Sequence, residues 1–427
     1  MTSITTQSDG HPSHSLSRQA REAEATLRRV TDDFDDNPSA MRYFYDLFQR
    51  LYIQGEPLSH QGKLIGTTCV QVPAELIYAV DGTPLRLCNG SHHYDQIGSD
   101  FMPAKSCPLV KATLGLLHSR DLMPKTGTPD LIVNPTTCDQ KKKASAMIED
   151  MGYAVYDLEM PSAKESEEGR LYWRRSVRRF ACKLSEVTGK RLTRRKLQEA
   201  MARVRRAQTA FRRMHHLRKS TPSLILGKDA FLVTNAFFFD ELDHWSEAVE
   251  KLNSELALRQ AEGFQAAQRK APRILLTGSP PVFPNLKLPL LIEEAGGVVV
   301  ADETCSANRM LYDMSAVDEW LLDEMVDSLA DNYLKPCTCP IFPRNDDRKR
   351  RLLELAASFA ADGVVYQVFA GCQVYEMEQK SVGKALAAKG IPMLCVETDY
   401  SPDDQGQLTT RVEAFLESIK TRKRRQA

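Results

Sequence analysis

The run Gly363-Val364-Val365-Tyr366-Gln367-Val368-Phe369-Ala370-Gly371-Cys372-Gln373-Val374-Tyr375-Glu376 joins two kinds of periodicity. Its first half, Gly363 to Phe369, is apolar and rich in valine, as in a strand buried on both faces. Its second half opens a helical pattern, Val374 to Lys389, that Gly390 closes. Cys372 therefore sits at a strand end and at the mouth of a helix. A thiolate there can hold a metal while helix N–H groups face the anionic sulfide. One such cysteine says little, because a buried cysteine is ordinarily a small apolar residue. The arrangement, however, recurs along the chain.

Working outward, Pro392 to Glu397 reads as the last strand, Gln407 to Lys420 as the last helix, and Lys423 to Arg425 as a frayed basic end. Upstream, Arg273 to Gly278 and Val298 to Ala301 read as strands around a helix from Asn285 to Ala295. Asp302-Glu303-Thr304-Cys305 follows, then helices over Asp318 to Tyr333 and Asp346 to Ala361, with Pro336-Cys337-Thr338-Cys339-Pro340 between them. The same alternation occupies the first half. Lys63 to Gly66, Pro84 to Cys88, Asp130 to Asn134 and Tyr153 to Leu158 read as strands. Pro73 to Val80, a helix opened by Ser106-Cys107-Pro108 and running to His118, and Asp139 to Met151 read as helices. This βαβα order predicts an α/β fold of two Rossmann-like doubly wound parallel-sheet lobes.

Between them, dense charge and helical periodicity predict an inserted helical region. Thr188-Gly189-Lys190 breaks it, and Thr193 caps a helix to about Lys219. Arg203, Arg205, Arg206, Arg212 and Arg213 give that helix a basic face, either a solvated surface or a dock for an acidic partner or ligand phosphates. Ser17 to Leu51 reads as helical with a break at Asn37-Pro38, and residues before it as disordered. The expected division is 1–60 (tail and helices), 61–162 (first lobe), 163–270 (helical region) and 271–427 (second lobe).

A net charge of +1 gives no global reason to expect nucleic acid or a membrane surface. No apolar run approaches the ~20 residues of a membrane span, and Met1 to Ser17 lacks the apolar centre of a secretory signal. A cytoplasmic protein is expected. Ten cysteines in that compartment favour metal or redox chemistry over disulfides. Cys88, Cys182 and Cys395 read as packing residues. Cys69, Cys107, Cys138, Cys305, Cys337, Cys339 and Cys372 lie at corners, and their concentration at one edge of two sheets argues for a shared metal centre. Zinc prefers paired C-x2-C ligands and needs four, whereas an all-thiolate, histidine-poor set suits iron–sulfur better. The C-x2-C-x2-C runs of ferredoxins are absent, so spacing leaves the choice open.

No G-x4-G-K-[ST] loop occurs: Gly383-Lys384 is followed by Ala385. No G-x-G-x-x-G opens a helix either, so a nucleotide in the chemistry belongs to another protein. His92-His93 reads as loop surface. Tyr375, Glu376 and Glu303 neighbour candidate ligands in sequence only, and no catalytic residue is assigned.

At this point the chain resembles a known family. Gly66-Thr67-Thr68-Cys69, Pro73 to Ala79, Ser106-Cys107-Pro108, Thr137-Cys138-Asp139-Gln140-Lys141, Glu303-Thr304-Cys305, Pro336-Cys337-Thr338-Cys339 and Glu397-Thr398-Asp399-Tyr400 are similar to the 2-hydroxyacyl-CoA dehydratase and benzoyl-CoA reductase superfamily. The resemblance covers roughly residues 40 to 420. It implies a cluster-bearing enzyme, an iron–sulfur oxidoreductase or dehydratase (lyase), fed low-potential electrons by a separate ATP-hydrolysing iron–sulfur activator. The single [4Fe-4S] cluster of dehydratase subunits would fall on Cys69, Cys107 and Cys372. The additional thiols most resemble the double-cubane subgroup, whose [8Fe-9S] cluster would take Cys69, Cys107, Cys138, Cys305, Cys337 and Cys372, with Cys339 the seventh candidate. That subgroup implies a homodimer reducing a small molecule. The dehydratases imply a heterodimer acting on an acyl-CoA. A non-catalytic electron carrier or scaffold is the third reading. Gly371 stands where family members often carry histidine or another polar residue.

Overall fold

The structure is a computed structural model and describes residues 17–60, 62–120, 127–311 and 319–426. Eight strands are formed: β1 (Lys63–Thr67), β2 (Gly82–Arg86), β3 (Leu131–Pro135), β4 (Val155–Leu158), β5 (Arg273–Gly278), β6 (Val298–Thr304), β7 (Gly363–Phe369) and β8 (Met393–Thr398). They make two four-stranded sheets, β2-β1-β3-β4 and β6-β5-β7-β8, in which every pairing is parallel. The two lobes thus repeat one topology. Helical crossovers cover both faces of each sheet, which is why β5, β6 and β7 are buried end to end. Pro84 is tolerated because β2 is an edge strand with no ladder bond to lose on its free side.

One core fills the space between the lobes. It joins Leu64, Leu85 and Ile132 of the first sheet to Ile274, Leu276 and Val365 of the second, together with Phe48, Trp245 and Phe283. A second core lies on the other face of the first sheet, where Ile65, Leu131, Val133 and Leu158 meet the helices Glu167–Thr188 and Leu322–Leu334. The latter helix comes from the crossover between β6 and β7, yet it packs on the first sheet. Its anchor is Trp173, fully buried, whose indole N–H donates to the Ala330 carbonyl at 2.8 Å. Arg170 and Arg174 add ion pairs to Asp331 at 2.8 Å each. Burial alone would raise the Asp331 pKa, but hydrogen bonds from Arg174, Lys335 and Arg170 outweigh it and hold the carboxyl well below the usual range. Cys337 follows this helix directly and is thereby carried across to the first lobe. A third core, with Leu275, Val364, Tyr366 and Phe359, backs the second sheet.

The helical region contains Glu167–Thr188, Arg194–Leu217, Gly227–Ala236 and Leu242–Ala261. Thr193 caps the second of these through its side chain, and Gly189 ends the first in a left-handed conformation. The arginine face is tied within the chain: Arg203 and Arg206 pair with Asp243 at 3.0 and 2.8 Å, and Arg213 with Glu250 at 2.9 Å. Those three arginines therefore link their helix to the next along a solvent-facing edge.

Several expectations are corrected. His92 and His93 lie in a helix (His92–Gly98) and are half-buried, because the His93 amide docks on Glu22 of the N-terminal helix Arg18–Asp32. The basic end is not frayed, since the last helix runs Gln405–Gln426 and Lys423 pairs with Asp362 at 2.9 Å. Cys182 is exposed on its helix and is no core packing residue. The expected disorder before residue 17 lies outside the described residues. Among those described, no helix is long and apolar enough to cross a membrane.

Candidate metal centre

The carboxyl ends of the two sheets face one another, and the corner cysteines collect there. Cys107, Cys138 and Cys372 each occupy the N-cap position of a helix, namely Pro108–Ser119, Asp139–Asp150 and Gln373–Ala387. No side chain caps these helices, so their first N–H groups are available to sulfur. The neighbouring Cys372 thiol and burial push the Cys107 thiol up, and burial pushes Cys138 up; the backbone N–H groups of Leu109 and Val110 at the first, and of Gln140 and Lys141 at the second, oppose this only in part. These three cysteines line one pocket with Gln140, Thr137 and Val374.

Two thiol pairs span the lobes. Cys107 of the first faces Cys372 of the second, and Cys69 of the first faces Cys305 of the second, each pair close enough for the ionisation of one thiol to respond to the other. In the second pair the adjoining Cys69 thiol is the main reason the Cys305 thiol is held low. Burial opposes it, while Arg309, Arg86 and Lys141 add to it. The Cys305 sulfur beside it, with burial, pushes the Cys69 thiol up. Cys337 and Cys339 lie near enough to Cys305 and Arg309 to feel their charge, while burial raises both thiols. The Gln71 carboxamide donates to the Cys337 sulfur at 2.9 Å. All seven corner cysteines are thus brought to the inter-lobe seam, in two neighbourhoods. Cys88 stands beside them, donating to the Thr68 carbonyl at 3.3 Å, and Cys395 lies apart on β8 against Gln379.

The donor set fits an anionic iron–sulfur body. Arg86 is 7% exposed, yet its Nε and Nη1 have no hydrogen-bond partner among the described residues. Burial disfavours its charge, but the sulfurs of Cys88, Cys305 and Cys69 around it more than compensate. The guanidinium stacks on the Phe238 ring at 4.9 Å, and two buried N–H-bearing nitrogens without a partner are costly unless negative charge lies against them. Lys141, whose Nζ donates to the Thr68 carbonyl at 2.7 Å, and Arg309 complete a cationic rim. Among the described residues no three His, Cys, Asp or Glu side chains converge closely enough to hold a single metal ion.

Sequence reasoning missed the supporting shell. Arg309 is clamped by Glu303 at 2.9 Å, and Glu303 also accepts from Thr338, between Cys337 and Cys339, and from fully buried Arg348. Glu303 is therefore a structural hub. Its place near the end of β6, two residues before Cys305, was the available signal. Gly371 has φ +77°, and a Cβ there would lie 1.8 Å from the Lys105 carbonyl oxygen. Steric contact between the lobes requires the glycine, independent of any proton supply. A cavity of about 60 Å³ adjoins Cys337, lined among others by Gln71, Glu75, Asn308 and Tyr333.

Comparison with known proteins places the chain in a family. The chain is 29% identical over 393 residues to the Escherichia coli (strain K12) protein named "Putative dehydratase subunit YjiM", covering 90% of this chain and 99% of that one. It is 25% identical over 369 residues to the beta subunit of (R)-2-hydroxyglutaryl-CoA dehydratase from Acidaminococcus fermentans, covering 84% and 92%. It is 21% identical over 364 residues to one of the benzoyl-CoA reductase subunits of Thauera aromatica, covering 84% and 91%. The family model for the 2-hydroxyglutaryl-CoA dehydratase D-component matches residues 69–419, a span that begins at the first corner cysteine and takes in both sheet edges, and the chain belongs to that family.

Proposed function

We propose that this chain is an iron–sulfur reductase of the double-cubane type. The observation that carries the reading is that the corner thiols form two neighbourhoods, each drawing on both lobes. Cys107, Cys138 and Cys372 would hold one cubane. Cys69, Cys305 and Cys337 would hold the other, with Cys339 as the alternative third ligand. Such a group, when bound, supplies low-potential electrons and an iron site able to act as a Lewis acid. The chain's own residues stabilise the added negative charge: helix N–H groups at Cys107 and Cys138, and the cations Arg86, Lys141 and Arg309. Cavities of about 60 Å³ beside Cys337 and about 370 Å³ lined by Cys107, Cys138 and Cys372 adjoin the two neighbourhoods and offer room for a substrate. Since the sequence carries no phosphate-binding loop, a separate ATP-hydrolysing activator would deliver the electrons. A cytoplasmic homodimer, with the lobes divided as 61–162 and 271–427 around the helical region 163–270, completes the reading.

A second reading is supported by the similarity to the (R)-2-hydroxyglutaryl-CoA dehydratase beta subunit. In it the chain pairs with a related subunit, holds one [4Fe-4S] cluster on Cys69, Cys107 and Cys372, and acts on an acyl-CoA.

Single Cys138→Ser and Cys305→Ser variants separate the two. The double-cubane reading expects iron per chain, measured on anaerobically purified protein, to fall to about half or less in each. Unchanged iron in both variants would favour the single cluster. Of Cys337→Ser and Cys339→Ser, only one is expected to lose iron.

A further inference from the structure

The first turn of the helix Asp139–Asp150 touches three corners besides its own Cys138. Gln140 lies at the centre. Its Oε1 accepts from the Cys107 amide at 2.8 Å, and its Nε2 donates to the Gly371 carbonyl at 2.8 Å. One carboxamide therefore bridges the residue that carries a thiol on the first lobe and the residue preceding its partner thiol on the second. The bridge lies where the lobes are already in contact, with Gly371 pressed against the Lys105 carbonyl. The next residue reaches the other thiol pair: Lys141 Nζ donates to the Thr68 carbonyl, directly before Cys69. Asn134 ties the same helix to the same corner, accepting from the Thr68 hydroxyl at 2.6 Å and donating to the Lys141 carbonyl at 2.8 Å.

We propose that Gln140 is a positioning residue that latches the two lobes and sets the separation of the Cys107 and Cys372 sulfurs. Only a carboxamide on a two-carbon stem accepts from one backbone and donates to the other. A glutamate at this position keeps the acceptor and loses the donor, and an asparagine is one methylene short. The hydrogen bonds of the Gln140 side chain go to the Cys107 and Gly371 backbones, so its influence falls on that pair of corners. The latch joins two corners of the apoprotein and stands whether the chain carries one cubane or two.

The test uses the full-length, metal-free chain and a thiol oxidant such as diamide, with each disulfide quantified by mass spectrometry. Wild type is expected to form the Cys107–Cys372 disulfide, whose thiols line one pocket beside the Gln140 bridge, and the neighbouring Cys69–Cys305 pair serves as the internal control. Gln140→Ala is expected to slow the first about tenfold, the loss of effective concentration expected when two neutral hydrogen bonds are removed, and to leave the second unchanged. Gln140→Glu should fall between. On iron-loaded protein the same variants should release iron to a chelator faster than wild type, a readout that does not require the metal-free chain to fold. Equal rates for Cys107–Cys372 in wild type and Gln140→Ala, or an equal slowing of both disulfides, would overturn the proposal. A chain that binds no iron would defeat the functional reading above and leave the disulfide result to stand by itself.

Discussion

Replacing Gly371 with alanine is expected to part the two lobes at the Cys372 corner. The residue has φ +77°, where an L side chain is strained by about 1 kcal/mol or more, and the added Cβ would overlap the Lys105 carbonyl at 1.8 Å. The overlapping atom is backbone, held by the Ser106 amide's bond to Pro103 and by the Gln140 bridge just beyond, so it cannot rotate away as a side-chain tip would. Relief requires the corner to withdraw from the first lobe, which breaks the Gln140–Gly371 bond and separates Cys372 from Cys107. The total cost is expected to reach about 3 kcal/mol or more, in the class of strain at a special backbone conformation. Urea denaturation monitored by circular dichroism checks the stability, and the Cys107–Cys372 disulfide yield checks the geometry. A variant with wild-type midpoint and wild-type disulfide yield would contradict the account of this corner.

The Arg348→Met variant is expected to be the most destabilised side-chain change away from the thiols. Arg348 is fully buried and joins Glu303 to Glu378, with Nε 2.7 Å from the latter, while Nη2 donates to the Thr277 hydroxyl at 2.9 Å. Methionine fills comparable length but leaves two carboxylates facing a buried gap. Breaking one partner of a buried ion pair costs about 3–5 kcal/mol, because the remaining charge is neither hydrated nor paired. Arg309 still holds one side of Glu303, which moderates the loss. The consequence reaches the thiols through Thr338, whose hydroxyl donates to Glu303 from between Cys337 and Cys339. Amide exchange in 336–340 should therefore quicken together with the drop in urea midpoint. A midpoint within about 0.5 kcal/mol of wild type would contradict the assignment of Glu303 as a hub.

Much of this centre was legible in the sequence because it depends on local signals. The valine-rich run became β7 over Gly363–Phe369 as read, and Cys107-Pro108 and Cys138-Asp139 opened helices at the positions that proline and the charge pattern indicated. Strand ends and helix starts are short-range events, so cysteines between them could be placed at one edge. What could not be read was long-range. The helix Leu322–Leu334 follows β6 of the second sheet but packs on the first through Trp173 and Asp331, and nothing in its own periodicity names that partner. Gly227–Ala236 was not recognised as a helix because every residue in it is buried, which erases the amphipathic period. Gly371 was seen only as a departure from a family pattern, since the carbonyl that forbids a Cβ comes from residue 105, far away in sequence. Arg86 drew no notice at a strand end, and only its burial among sulfurs gives it a role.

The central claim is that the corner thiols hold two cubanes rather than one. Iron and acid-labile sulfide per chain, assayed with zinc on anaerobically purified protein, test it most directly. The account predicts iron near twice the content of a single cubane, with sulfide in comparable amount. Iron near one cubane would contradict it in favour of the single-cluster dehydratase reading, and zinc without sulfide would contradict both.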